Sequence, residues 1–382
     1  MVQESTYKIG IIGGGPAGCF CAYYLQNLFD VTVFEYKKPL ATLLPTGGGR
    51  CNLAHYEFDY KELAKNYPRG EKFLYSVFSK FGTAETMEFF ENIGVPLYVQ
   101  EDMRVFPKSD SASDVRENFL NKLKKIHFKK EHVLRINQNP LTIVTDCGSY
   151  VFDKVVIAAG GHSGYDCAKF LGHNIIDPKP SLTALKTKEK FEKLSGVSLK
   201  NVKALGFKDD ILFTHEGISG PLVYKISSVK ARDKFPYKIS FDLIDYIDLQ
   251  DELNNNPHKN IKNLIAEYLP KSFAEYVLEY CNIDGAIKSH TINGKLRDMI
   301  LDKLHNFEVN IISASKGGEV VTSGGVDLKE INSKTMQSRI AEGVYFCGEV
   351  IDIDGFCGGF NLQNCWSTAY VAAQGIISAL GN

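Results

Sequence analysis

Four short segments of this chain carry residue types that chemistry needs. The first is Lys8-Ile-Gly-Ile-Ile-Gly13-Gly-Gly15-Pro16-Ala17-Gly18, with Glu35 following at a distance of a strand and a helix. The second is Gly47-Gly48-Gly49-Arg50-Cys51-Asn52. The third is Ala158-Ala159-Gly160-Gly161. The fourth lies near the C-terminus and contains Gly348-Glu349, Asp352, Asp354 and Gly358-Gly359-Phe360-Asn361-Leu362. Runs of glycine are entropically costly, so they make sense where a backbone bends sharply or passes close to a ligand.

Gly13-x-Gly15-x-x-Gly18 follows an apolar strand and opens a helix. The first glycine permits the tight turn, the second lets backbone approach a pyrophosphate, and the third packs helix against strand. Unpaired N–H groups at the helix start, Pro16 and Ala17 included in that turn, then face the phosphates at the positive end of the helix dipole. Glu35 is placed to accept hydrogen bonds from a ribose diol, and its carboxylate disfavours a 2'-phosphate. Strand, loop, helix and acid in register make this more than a lone glycine match.

The fourth segment supplies the other half of a flavin site. Glu349 ends a strand, where an acid commonly meets the ribityl or pyrophosphate region. Gly358-Gly359-Phe360-Asn361 leads into an apolar helix, about Gln363 to Leu380. Its N–H groups can be aimed at the N1–C2=O edge of a flavin ring, which becomes negative on reduction. Arg50 can pair with phosphate or polarise a ring carbonyl, and Gly48, Gly49, Asn52, Ala159 and Gly160 belong to the same lining. These segments predict FAD, and FAD predicts redox chemistry. No second phosphate loop is visible, so NAD(P)H, if it is the electron donor, must reach the flavin face directly as a substrate would.

Three residues are candidates for catalysis. His215, on a strand-end loop before Gly217 and Ser219-Gly220-Pro221, is either a proton donor or substrate anchor over the flavin, or a residue fixing its own loop. Arg104 either binds a substrate anion or pairs with Asp102. Cys51 is either a packed residue or a catalytic thiol; a dithiol relay is not expected, because the next cysteine is Cys147. His162 is placed on the adenine side, and Trp366 in the core.

The elements that must position these residues follow from periodicity. Tyr7–Ile12, Val31–Glu35 and Lys154–Ala159 are nearly continuous apolar strands, as a buried parallel sheet requires. Helices are expected from Ala17 to about Leu28, within 60–93 with Phe73, Val77 and Phe81 on one face, and from Ser111 or Ser113 onward. A hairpin turns at Asp146-Cys-Gly-Ser. After Pro178 and Pro180 the pattern changes to short strands, then from 248 to 305 to polar helices with Phe273, Val277 and Tyr280 as one face. The expected fold is α/β, a discontinuous Rossmann-like FAD-binding domain interrupted by an insert. The expected division is 1–185 plus 320–382 for the FAD domain, 186–247 plus 306–319 for a module of short strands, and 248–305 for a helical part.

Composition narrows the partners. The chain has 382 residues, 44% hydrophobic and 23% charged, with a net charge of -1, so it is long enough for two or three parts. That balance argues against nucleic acid as a partner, and no apolar run suits a membrane span. From Gln3-Glu4-Ser5 the chain moves directly into a strand, without a signal-peptide pattern. The 9 cysteines are scattered without metal spacing, which predicts a reducing cytoplasm and no metal site.

The motifs also resemble a known family, the BaiN-like (YhiN-type) NAD(P)/FAD-dependent oxidoreductase flavoproteins. The resemblance rests on the phosphate loop, Gly47–Asn52, Arg104-Val-Phe-Pro107 with Ser109 and Ala112, and Leu212-Phe-Thr-His215-x-Gly217-x-Ser219-Gly220-Pro221. It extends through Gly324-Gly325-Val326, Thr335-Met336-x-Ser338 and Gly348-Glu349-x-x-Asp352-x-Asp354-Gly355. Pro45-Thr46 stands where the family more often has Ile-Ser. The resemblance implies an FAD domain of the glutathione-reductase-like type, interrupted by an insert of a small β-barrel and a helical subdomain, without naming a substrate. The leading expectation is an FAD-dependent oxidoreductase acting on a small organic molecule. The rivals are an FAD-dependent RNA-modifying protein and a flavin-binding regulatory protein without turnover.

Overall fold

The computed structural model describes residues 7–315 and 321–381. The readings at Gln3–Ser5, the boundary at 320 and the side chain of His162 fall outside what is described. The chain forms two compact units, Met1–Lys179 with Thr322–Asn382, and Pro180–Val321. Among the described residues, no helix is long and apolar enough to cross a membrane.

The first unit is built on a five-stranded parallel sheet. Its order is Val344–Phe346, Lys154–Ile157, Lys8–Ile12, Asp30–Phe34, His127–Lys129. Buried on both faces, the strands can be apolar at nearly every position. Gly10 shows how tight the sheet is: a side-chain carbon there would lie 2.6 Å from Ile143 Cδ1. The phosphate-loop helix, Pro16–Leu25, buries most of its circumference because it packs on the sheet and against the last helix, Phe360–Ala379. Phe20 is the hub of that contact, 5.3 Å from Trp366 and 4.6 Å from Phe89 between ring centroids. Trp366 is fully buried and donates its indole N–H to the Leu53 carbonyl at 3.0 Å. This is packing that no single segment specifies.

Local readings shift slightly in this unit. The last helix begins at Phe360, with Gly359 in a left-handed conformation as its N-cap. Helix Glu71–Phe78 buries Leu74, Val77 and Phe78, not Phe73, because the helix is short and lies with a different face inward. Ser111 is the N-cap of Ala112–Leu120, accepting from the Asp114 N–H.

The second unit is a six-stranded antiparallel sheet. Its order is Ser198–Ala204, Phe207–Thr214, Gly217–Ser219, Leu185–Thr187, Phe307–Ala314, Tyr237–Phe241. Its edges meet where Lys203 and Asp242 exchange both backbone hydrogen bonds, at 2.8 and 2.9 Å, which closes the sheet into a barrel. The helices between Leu249 and His305 share the core of this barrel. Phe213 lies 5.1 Å from Phe273, and Phe273 lies 5.5 Å from Phe307. The helix Lys271–Tyr280 turns Phe273, Ala274, Val277 and Leu278 inward and leaves Tyr280 exposed.

Candidate functional site: four glycine-rich segments in one place

The three glycines of the phosphate loop serve different needs. Gly13 has φ +99°, and a side-chain carbon there would sit 2.7 Å from the backbone of Ala159. At Gly18 such a carbon would lie 1.9 Å from the Gly13 carbonyl oxygen. Both are required by the protein's own packing. Gly15 is not: its φ is -76°, and the nearest atom to its missing carbon is Thr42 Oγ1 at 3.5 Å. The open space at Gly15, at the start of a helix, is where a phosphate group could approach the backbone. Glu35 stands beside it, accepting from the Gly14 N–H at 2.8 Å and the Lys37 N–H at 2.7 Å, so its carboxylate is held at the strand end.

The other segments gather on this loop. Gly348, φ +75°, passes so close to Ala17 that a side chain would come within 2.6 Å of its Cβ. Gly160 lies beside Glu349. The Glu349 side chain reaches solvent but has protein packed close beside its carboxyl group. That crowding pushes its carboxyl pKa upward. Asn52 is buried; with its amide turned to satisfy both ends, it donates to the Ala54 carbonyl at 3.0 Å and accepts from the Gly359 N–H at 2.9 Å. Gly48 and Gly49 have φ of +69° and +88°, which accounts for glycine at both.

Several expected ligands are otherwise engaged. Asp354 is fully buried in a two-pronged ion pair with Arg69, at 2.5 and 2.6 Å, so its carboxylate holds the loop rather than a cofactor. Asn361 bonds both the N–H and the carbonyl of Gly355, at 2.8 and 2.9 Å, and shapes the same loop. Phe360 and Leu362 are buried. Arg50 stacks over Phe106 at 4.1 Å, partly exposed.

The catalytic candidates also separate. Cys51 has φ +67° and no exposed surface, and burial pushes its thiol up to about 12. It is a neutral thiol at physiological pH, which speaks against the catalytic reading. Arg104 donates from Nε to Asp102 at 2.7 Å and from Nη2 to the same oxygen. His215 belongs to the second unit, exposed in the turn between Phe207–Thr214 and Gly217–Ser219.

Two residues near the loop were missed from sequence. His55, directly opposite Arg104 in a short antiparallel ladder, contacts the Gly358 carbonyl through Nδ1 at 3.2 Å, and its ring lies 4.6 Å from Phe360. Burial pulls its pKa down. Cys357, one residue before Gly358, is exposed. Only the position of Cys357 beside Gly358-Gly359 could have flagged it. Elsewhere, His173 bridges Glu330 and Ser338 at 2.9 Å each, a nucleophile–base–acid outline. It is closed: Ser338 Oγ accepts from the Ile340 and Ala341 N–H groups, and His173 is buried.

This geometry fits a dinucleotide lying along the phosphate loop toward Gly359. The sequence matches the HI0933-like protein Rossmann domain model over residues 7–375. The chain belongs to the HI0933-like family. The relatives aligned over nearly the whole chain include proteins with two kinds of name. Proteins named ribosomal RNA dihydrouridine synthase are 29% identical in Escherichia coli, over 97% of this chain and 98% of the relative, and 30% identical in Haemophilus influenzae, over 96% and 97%. A protein named 3-dehydro-bile acid delta(4,6)-reductase in Clostridium scindens is 27% identical over 96% and 98%. Among solved structures, the FrdA subunit of Escherichia coli quinol fumarate reductase shares the fold, with a TM-score of 0.52 at 14% identity, over 100% of this chain and 72% of that one. Family and fold agree with a flavin-dependent oxidoreductase.

Proposed function

We propose that this HI0933-like protein is an FAD-dependent reductase that saturates an electron-poor carbon–carbon double bond, and that its substrate is a uracil base of ribosomal RNA. The observation that carries the reading is the pair of names borne by relatives aligned over nearly the whole chain. Dihydrouridine is uridine with its ring double bond reduced, and a delta(4,6)-reductase reduces double bonds in conjugation with a ketone. Both reactions add hydride to a carbon activated by a carbonyl group and a proton to its neighbour.

When bound, FAD would supply the hydride. The chain supplies the rest. The Gly15 turn and the N-terminus of Pro16–Leu25 would hold the pyrophosphate, Glu35 the ribose, and Glu349 the middle of the cofactor. The N–H groups of Phe360 and Asn361 would offer positive potential to the ring edge. His215 and Arg104 remain the candidates for proton delivery and for substrate binding.

The choice of RNA over a small molecule departs from the expectation drawn from net charge. That charge is unevenly spread: residues 180–240 hold 12 Lys and Arg against 6 Asp and Glu. Much of that surplus is paired with carboxylates, among them Lys203 and Lys208 with Asp245 and Lys238 with Glu308, so the reading rests on the relatives and not on charge. A small enone is the second reading, favoured by the bile-acid reductase relative. The deciding experiment is anaerobic reduction of the purified yellow protein with NADH or NADPH. Ribosomal RNA from cells lacking the gene is then added and its nucleosides are analysed by mass spectrometry. A uridine heavier by two hydrogens supports the reading. Flavin that is reoxidised by an enone but not by RNA overturns it in favour of the small molecule.

A further inference from the structure

The short ladder beside Gly358 presents an ordered pair of hydrogen-bonding groups. His55 and Arg104 are direct cross-strand partners, so their side chains leave the same face of the ladder. A carbonyl oxygen can only accept, so the contact of His55 Nδ1 with the Gly358 carbonyl fixes the hydrogen on Nδ1. In the neutral ring Nε2 is then an acceptor, and it has no partner among the described residues. Arg104 commits Nε and one Nη2 hydrogen to Asp102. Its remaining N–H groups are donors, and its side chain is 42% exposed. One acceptor and one fan of donors therefore stand side by side, next to the loop that leads into the last helix.

A uracil base displays the complement. Its imide edge alternates carbonyl oxygen, N3–H and carbonyl oxygen. An isolated enone offers only a carbonyl and would leave Nε2 unmatched. We propose that His55 and Arg104 read the imide edge of uracil, His55 Nε2 accepting the base N3–H and Arg104 donating to a neighbouring base carbonyl. The inference rests on the uracil reading given above and assigns to these two residues the recognition of the base, not the chemistry.

Cys357 gives a readout independent of turnover. Only Cys147 and Cys357 are exposed, so in a flavin-loaded Cys147→Ser protein the labelling of Cys357 by a thiol reagent reports occupancy beside Gly358. The probes are a short RNA with one central uridine and the same RNA with 3-methyluridine, which lacks the N3–H. The uridine RNA should slow labelling, and the methylated RNA should need about tenfold more for equal protection, the worth of one hydrogen bond. His55→Leu should erase that difference, whereas His55→Asn, which keeps an acceptor, should retain it. Equal protection of the His55-containing protein by both RNAs overturns the inference and leaves the uracil reading standing. If neither RNA protects and an enone does, the uracil reading itself falls, and this inference with it.

Discussion

The side chain of Asn52 accepts a hydrogen bond from the backbone N–H of Gly359 across 2.9 Å. It thereby ties the triple-glycine segment to the first turn of the last helix. Gly359 can approach this closely only without a side chain, since a Cβ there would lie 2.3 Å from the Ala54 oxygen. Asn52→Leu should leave the Gly359 N–H without its acceptor and cost about 1 kcal/mol. Thermal melting would show it, together with weaker flavin retention on gel filtration. A variant as stable and as yellow as the parent would mean that the contact is dispensable.

Gly15 and Gly18 should respond oppositely to the same change. Gly15→Ala meets no crowding, so the flavin-free protein should keep its stability within about 0.5 kcal/mol while losing flavin affinity. Gly18→Ala drives a carbon into the Gly13 carbonyl and should cost about 3 kcal/mol or prevent folding. Melting of flavin-stripped protein and flavin titration separate the two.

Arg69 and Asp354 form a pair with side-chain exposures of 13% and 0%. Asp354→Ala should cost about 3–5 kcal/mol, because it breaks a largely buried ion pair from one side, whereas Arg69→Met with Asp354→Leu should recover most of that loss. Urea denaturation of the three variants measures it. A double variant no better than the single one would show that the carboxylate has another task.

His173 sets a pH dependence of stability. Burial holds its pKa below the unfolded value of 6.5. As pH falls through that value, the unfolded chain takes up a proton that the folded chain resists. The contribution is therefore complete above the unfolded pKa and is lost as pH drops toward the folded one. The melting temperature should fall between about pH 7 and pH 5, and His173→Gln should flatten part of that slope. An unchanged slope would place the titration elsewhere.

His215→Ala should slow turnover by about a hundredfold if the imidazole moves a proton, with flavin still bound. Stopped-flow oxidation of the reduced flavin by substrate is the measurement. A rate equal to the parent's would make His215 a turn residue.

What was legible in the sequence was local. The glycine spacing, the apolar strand before it and Glu35 after it determine a phosphate loop, because each requirement acts within a few residues of backbone. The same holds for the parallel strands and the last helix. What the tertiary structure alone decided depends on residues far apart in the chain. Asp354 meets Arg69 across 285 positions, which turns an expected cofactor ligand into a buried ion pair. Cys51 loses its access to solvent because of the atoms packed around it. Arg104 was visible as a charge, but its alignment with His55 is a matter of strand register. Spacing constrains what the backbone can do nearby. Burial, pairing and register arise only when distant segments share one place.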